Sequence, residues 1–291
     1  MSTRTLLAVF AHPDDESFGM GGTLSLYAAR GYRVELICAT RGEAGEISDP
    51  SLATAETLAE VREIELRCAA RSMGMRPPIF LNYRDSGMMG TPENDHPLSL
   101  HRANRREAVG KVTLLLRELQ PDVVVTFEPG GGYGHPDHVA IHQITVAAVA
   151  AAADPTQYPQ QIAAGLAPYR VKKFYYTALP RQFFRKMAEK LAAAGVDLSQ
   201  MSGVRDGSMA EWGMPDELVT TTIDVSSTLD QKIASWQCHR TQLNPQGPFA
   251  MAIQLGGDVW REPMSSEYYM RVDPPVAPGE PTEMDLFAGL E

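Results

Sequence analysis

The chain has 291 residues, 44% hydrophobic and 21% charged, with a formal net charge of −10. That is an ordinary globular balance, enough to build a core in one large α/β domain or two smaller ones. An acidic chain repels a phosphate backbone; its densest basic cluster, Arg102, Arg105 and Arg106, reads as a solvated helix face, which argues against a nucleic-acid partner.

No apolar run approaches the roughly 20 residues needed to cross a bilayer, and Leu6 to Ala11 is too short for a secretory signal. A cytoplasmic protein without membrane contacts is expected, and a homo-oligomer fits the composition as well as a monomer does. Cys38, Cys68 and Cys238 are odd in number and widely spaced, which argues against a disulfide framework; Cys38 and Cys68 read as core residues.

In chain order, Thr5–Ala11 (TLLAVFA) is fit for a buried strand, and Ser17 to Arg30 reads as a helix. Arg33–Thr40 is a second strand. Thr54 to Met73 is a long helix on which Leu58, Val61, Ile64 and Cys68 share a face. Pro78–Tyr83 is a third strand. Arg105 to Leu119 is a helix with Val109, Val112, Leu116 and Leu119 at helical spacing, stopped by Pro121. Asp122–Phe127 is a fourth strand and Pro136 to Ala153 a fourth helix. Further on, Lys172–Leu179 and Thr220–Val225 read as strands, and Gln182 to Ala194 and Leu229 to Thr241 as helices. Residues 154–170 and 200–217 read as loops, and the proline-rich stretch from Asp273 to Pro281 as extended.

Alternating strands and helices imply α/β architecture: a doubly wound, mostly parallel, Rossmann-like sheet with an irregular C-terminal α+β extension. The expected organisation is a Rossmann-like core over 1–153, a region over 154–272 that completes sheet and pocket, and a tail over 273–291.

The chemistry concentrates in two loops. The first strand runs into AHPDDE (11–16) and the fourth into FEPGGGYGHPDH (127–138). If the two strands are neighbours, His12, Asp14, Asp15, Glu16, His135, Asp137 and His138 meet in one crevice at the strands' carboxyl ends. Two histidines and a carboxylate suit catalytic zinc, which keeps a fourth position for water, and a second carboxylate can serve as base. His138 and His142 are also an i, i+4 pair, so His142 competes as a ligand. Each residue has a plainer role too: Asp14 or Asp15 could only cap the next helix, and Arg62 could pair with Glu63 or Glu65 on its helix surface. Gly19, Gly21 and Gly22 hint at a dinucleotide fingerprint, but Leu24 stands where it needs glycine and AHPDDE puts acids where pyrophosphate would sit.

The blocks AHPDDE, GMGGTL (19–24), TRGEAGE (40–46), RDSGM (84–88) and GGYGHPDH (131–138), in this order, resemble the LmbE-like, or N-acetylglucosaminyl-phosphatidylinositol de-N-acetylase, family of zinc deacetylases. RDSGM and GGYGHPDH are most similar to the branch acting in low-molecular-weight thiol metabolism. That branch deacetylates a glucosaminide of inositol or malate, or cleaves the amide of a mycothiol S-conjugate.

The resemblance implies His12, Asp15 and His138 as zinc ligands and Asp14 as general base. It implies His135 as oxyanion stabiliser and proton donor to the leaving amine, Asp137 as the residue holding the His135 ring, and Tyr133 as a group polarising the carbonyl. Arg62 and Asp85 match sugar-contacting positions, and Glu43 and Glu46 lie beside the site. Iron(II) is also compatible with the donor set. The function so implied is hydrolysis of an amino-sugar acetamide, with S-conjugate amide cleavage as the alternative and a dinucleotide-binding protein as a remote one.

Overall fold

A computed structural model describes residues 4–193, 195, 212–245, 247, 250, 253, 258–277 and 279–290. Among these residues the strands are β1 Thr5–Phe10, β2 Arg33–Cys38, β3 Ile79–Phe80, β4 Val123–Thr126, β5 Lys173–Ala178, β6 Thr221–Asp224 and β7 Ser266–Asp273. They form one sheet in the order β3-β2-β1-β4-β5-β7-β6. The first five run parallel; β7 lies antiparallel between β5 and β6. The helices are α1 Asp15–Ala29, α2 Leu58–Ser72, α3 Arg105–Leu119, α4 Gly131–Gly134, α5 Pro136–Ala153, α6 Pro159–Ala163, α7 Arg181–Ala193, α8 Leu229–Cys238 and α9 Asp258–Met264.

A strand buried on both faces must be apolar at every position, and β1 is very nearly so. Leu6, Ala8 and Phe10 point to one face and pack with Met20, Leu24 and Tyr27 of α1 and Leu66 and Ala69 of α2. Leu7 and Val9 point to the other, against Val109, Val112 and Leu116 of α3 and Ile141 and Ile144 of α5. From β1 the chain winds outward through β2 and β3 on one side, and through β4 and β5 on the other. The reversal therefore falls between β1 and β4, and the loops leaving their carboxyl ends face one crevice.

Helices α3 and α5 begin and end where the sequence places them. Asn104 caps α3 by accepting from the Glu107 N–H at 3.2 Å, and Pro136 opens α5. On α2 the inward face differs from the expected one. Ile64 is exposed, while Arg62, Glu65, Leu66 and Ala69 are buried. The inner side of this helix serves polar partners, so apolar spacing misreads it. β7 escapes an apolar pattern for the same reason: the residues it buries include Glu267 and Arg271, the first paired with Lys232 and the second with Glu280 and Glu283. β3 is only two residues long, an edge strand that ends before the expected Tyr83. Part of the stretch expected as a loop over 200–217 lies outside the described residues.

One expectation is corrected. Cys68 and Cys238 form a disulfide: α2 and α8 pack side by side and bring Cα atoms 170 residues apart in sequence to 5.7 Å. Linear spacing carries no trace of that proximity. The residues after Asp273 return to the body of the fold. Glu283 pairs with Thr220 and Thr222 through the backbone, and Leu286 and Phe287 enter the core beside Tyr27.

Candidate metal centre

The β1 loop turns sharply at Asp14, a non-glycine residue at φ 119°, and α1 starts at Asp15. Asp14 occupies the helix N-cap position, yet its side chain caps nothing, so capping is not its role. The turn folds Asp15 back: its Oδ2 accepts from the His12 N–H at 2.8 Å and the Ala11 N–H at 3.2 Å. Across the crevice, His138 lies in the first turn of α5, its ring stacked on Phe127 and its Nδ1 donating to Gly131 O at 3.0 Å.

These anchors bring the donor atoms of three side chains together. His12 Nδ1 is 3.2 Å from His138 Nε2, Asp15 Oδ1 is 3.2 Å from His138 Nε2, and Asp15 Oδ2 is 3.7 Å from His12 Nδ1. Donors about 2.0–2.1 Å from a tetrahedrally held divalent ion stand roughly 3.3 Å from one another, close to the two 3.2 Å separations at His138 Nε2, so these side chains could hold one metal ion. The rear of each ring is held: His138 by the Gly131 carbonyl, and His12 through Nε2 by Asp137 at 3.2 Å and Asp85 at 3.5 Å. Such outer contacts fix which nitrogen faces a metal. His12, His135 and His138 also lie within ligand-sharing distance, as do His12, Asp85 and Asp137. His142 stands apart, its Nδ1 donating to Phe127 O at 2.8 Å.

Charge follows the same plan. Burial disfavours a cation at His12, but Asp85, Asp137 and Asp15 outweigh it and hold its pKa well above the usual imidazole value. Burial also opposes ionisation of Asp15, yet His138 and His12 keep it well below the usual carboxylate range. The field that draws a proton onto His12 draws a divalent cation equally well.

Asp14 is different: burial pushes its pKa up to about 6, with Arg62 opposing the rise. Its carboxylate oxygen Oδ2 accepts from Arg62 Nη2 at 3.2 Å. The remaining Arg62 bonds go to Pro13 O at 2.6 Å and Gly42 O at 3.0 Å. Arg62 is thus buried beneath the AHPDDE loop, against the Asp14 carboxylate, while Glu63 binds Arg41 and Glu65 binds Thr241. Its path explains a glycine of TRGEAGE: a Cβ at Gly42, which sits at φ +69°, would stand 2.1 Å from Arg62 Nη1.

His135 is the N-cap of α5. Its Nδ1 accepts from the Asp137 N–H at 3.1 Å, which puts the ring proton on Nε2. Burial and the neighbouring rings of His12 and His138 lower its pKa to about 4. The expected grip of the Asp137 carboxylate on this ring is replaced by another: Asp137 is bound by His12 Nε2, by the Ser86 N–H at 2.8 Å and by the Ser86 hydroxyl. Asp85 accepts from the Gly87 and Ala44 N–H groups, and Glu43 accepts from the Asp85 N–H at 2.9 Å. Tyr133 is exposed at the mouth, its ring centroid 5.1 Å from that of His138.

Three residues around this centre carry no role readable from the sequence: Ser86, Glu16 and His239. Ser86 lies in RDSGM, Glu16 ends AHPDDE, and His239 opens HRTQLNP at 239–245, but nothing local reveals what they touch.

Fold and cluster together define a Rossmann-like α/β protein with a buried His/Asp cluster able to hold a metal at the topological switch point. A sequence model described as GlcNAc-PI de-N-acetylase (PIG-L) matches residues 7–149. A 1D-myo-inositol 2-acetamido-2-deoxy-alpha-D-glucopyranoside deacetylase of Acidothermus cellulolyticus is 39% identical over 99% of this chain and 96% of its own length. One of Catenulispora acidiphila is 40% identical over 99% of this chain and 90% of its own. Among solved structures, the N,N'-diacetylchitobiose deacetylase of Pyrococcus horikoshii aligns with a TM-score of 0.64 at 23% identity, covering 93% of this chain and 84% of that one. The 4-carboxy-2-hydroxymuconate hydratase of Pseudomonas putida aligns at 0.62 with 21% identity over 94% and 98%, so the fold alone does not select the reaction. The chain belongs to the GlcNAc-PI de-N-acetylase family, and it is an N-deacetylase, a hydrolase of amide bonds.

Proposed function

We propose that this enzyme removes the acetyl group of an N-acetylglucosaminide of the GlcNAc-inositol type, with zinc held by His12, Asp15 and His138 and Asp14 as general base. The observation that carries the substrate class is the name shared by relatives 36–40% identical over 99% of the chain. The donor set and its spacing support zinc, and iron(II) fits the same donors. The proposed substrate is a small amino sugar, and among the described residues no helix is long and apolar enough to cross a membrane.

A bound zinc supplies Lewis acidity toward the acetyl carbonyl and lowers the pKa of an adjacent water to about 7. The protein supplies the rest. Asp14, with its pKa near 6, is ionised at neutral pH and takes the proton of the attacking water. His135 is neutral at that pH and offers its Nε2–H to the carbonyl oxygen as negative charge develops there. With His135 already neutral, the proton that leaves with the amine is the one held by Asp14. Tyr133 closes over the carbonyl from its exposed loop. Asp85, braced by Glu43, is assigned to the sugar-binding side of the site, and Arg62 acts through Asp14 from beneath.

Acetate release from a panel of N-acetylglucosaminides, with metal content measured on the same sample, tests this reading. Zinc-dependent release from the inositol glycoside is expected. Release only from the malate glycoside, or cleavage only of a thiol S-conjugate, reassigns the substrate within the same chemistry. Metal-free protein with full turnover overturns the mechanism.

A further inference from the structure

Asp14 must hold an unfavourable backbone to aim its carboxylate. At φ 119° and ψ −27° a non-glycine residue is strained and persists only where its surroundings over-determine it. Part of that constraint is ordinary. The Asp14 carbonyl accepts from the Ser17 and Phe18 N–H groups at 3.0 Å each, and Arg62 holds the Pro13 carbonyl. The amide of Asp14 is held by something less expected: its N–H donates to Glu16 Oε2 at 3.0 Å.

Glu16 is fully buried two residues along the chain. Its other oxygen, Oε1, accepts from the Ser17 hydroxyl at 2.5 Å and lies 2.9 Å from Nε2 of His239, itself fully buried. His239 follows directly on the last residue of α8, which is tied to α2 by Cys68–Cys238. Two elements thus converge on Asp14. From α2, Arg62 reaches its carboxylate, and from the end of α8, His239 reaches its amide through Glu16. Burying an anion and an imidazole without solvent is costly unless they are paired and bonded, and this pair turns its remaining acceptor to the amide of the base itself.

We propose that Glu16 and His239 are positioning residues for Asp14: the buried pair fixes the Asp14 amide and thereby holds the turn that points the carboxylate at the attacking water. The inference rests on Asp14 as the general base. A displacement of about 1 Å at such a group costs on the order of 100-fold in rate without touching substrate affinity. Neither residue contributes a ligand atom to the His12, Asp15, His138 set, so metal content is predicted to be independent of them.

The test uses the full chain, zinc-loaded, with zinc per chain, kcat and KM on the inositol glycoside measured for five forms: wild type, Glu16→Ala, Glu16→Gln, His239→Ala and Asp14→Asn. Glu16→Ala is expected to lower kcat by about 30- to 100-fold, with KM and zinc content within about twofold of wild type. Glu16→Gln keeps an acceptor for the Asp14 N–H and a group facing His239, and is expected to restore kcat to within about threefold of wild type. His239→Ala is expected to lower kcat by about 10-fold at constant KM and zinc.

Unchanged kcat in Glu16→Ala, a loss that merely tracks lost zinc, or Glu16→Gln as impaired as Glu16→Ala overturns the proposal. If Glu16→Ala yields no folded protein, His239→Ala and Glu16→Gln decide: a selective kcat loss in the first with retention in the second supports positioning, and unchanged kcat in the first overturns it. Asp14→Asn separates the two layers. Full turnover in that variant removes Asp14 as base, whereas an inactive Asp14→Asn beside a fully active Glu16→Ala removes only the positioning role.

Discussion

Asp14 and Asp15 are adjacent and chemically identical, yet their surroundings drive them apart. Asp15 faces two histidines and is held ionised; Asp14 lies in a largely buried turn beside one arginine, and its pKa rises to about 6. Divergent environments for paired carboxylates are a signature of divided labour. Replacing Asp14 by Asn is therefore expected to keep zinc and lower kcat by about 100- to 10,000-fold, read by metal analysis beside steady-state kinetics. With Asp14 as the proposed base its ionised form is the working one, so kcat/KM should climb as pH rises through about 6. Arg62 favours that ionised form; in Arg62→Met the pKa of Asp14 rises further, and the climb should move to higher pH in a pH–rate profile. An unshifted limb would mean that Arg62 does not act on the base. His135→Ala should cost about 100- to 1,000-fold in kcat at unchanged zinc content, as for the loss of one oxyanion donor.

The elements matter through how they are fastened together. α1 approaches the end of β6 so closely that a Cβ at Gly22 would lie 2.6 Å from the Val225 Cβ, and Gly22 and Thr23 donate their N–H groups to Glu267 of β7. Gly22→Ala is expected to destabilise by about 1–3 kcal/mol through overpacking, measurable as a lower midpoint in denaturant. The Cys68–Cys238 bond closes a long loop between α2 and α8. Such closures stabilise by about 2–4 kcal/mol, so a double Cys→Ala variant should melt several degrees lower than the oxidised protein. Arg117 illustrates a different fastening. It is buried and donates to the carbonyls of Ala151, Ala152, Asp154 and Gln157 at and beyond the end of α5, where a cation also meets the helix dipole.

At the scale of the molecule, one sheet carries the site. Its parallel half brings the two motif loops together, and β5, β7 and β6 extend the same sheet from residues far along the chain. Three acidic groups surround His12, so the centre carries a field that a divalent ion neutralises, and ion binding couples to global stability by mass action. Dialysis against a chelator should abolish turnover and lower the melting temperature together, with zinc restoring both. A melting temperature indifferent to zinc would place the ion elsewhere. Because His12 holds its proton more tightly than a free imidazole, zinc affinity should weaken as pH falls from neutrality, read by metal titration.

Much of the fold is legible in the residues themselves. β1, β2, β4 and the helices α3 and α5 follow from apolar runs and turn residues because their neighbours are apolar and local pattern equals burial. The loops that form the metal centre are readable for a related reason: strand ends in a doubly wound sheet converge on the switch point, and AHPDDE and GGYGHPDH follow two such strands. What lies outside the linear pattern is everything whose partner is distant and polar. Arg62, Glu65, Glu267 and Arg271 occupy buried faces that hydrophobic periodicity assigns to solvent. Glu16 finds His239 and Cys68 finds Cys238 across more than half the chain. Residue types and their local period determine which segments fold and which loops carry chemistry. Only the packed tertiary structure determines which buried polar groups pair, because those pairings arise from proximity that no local rule encodes.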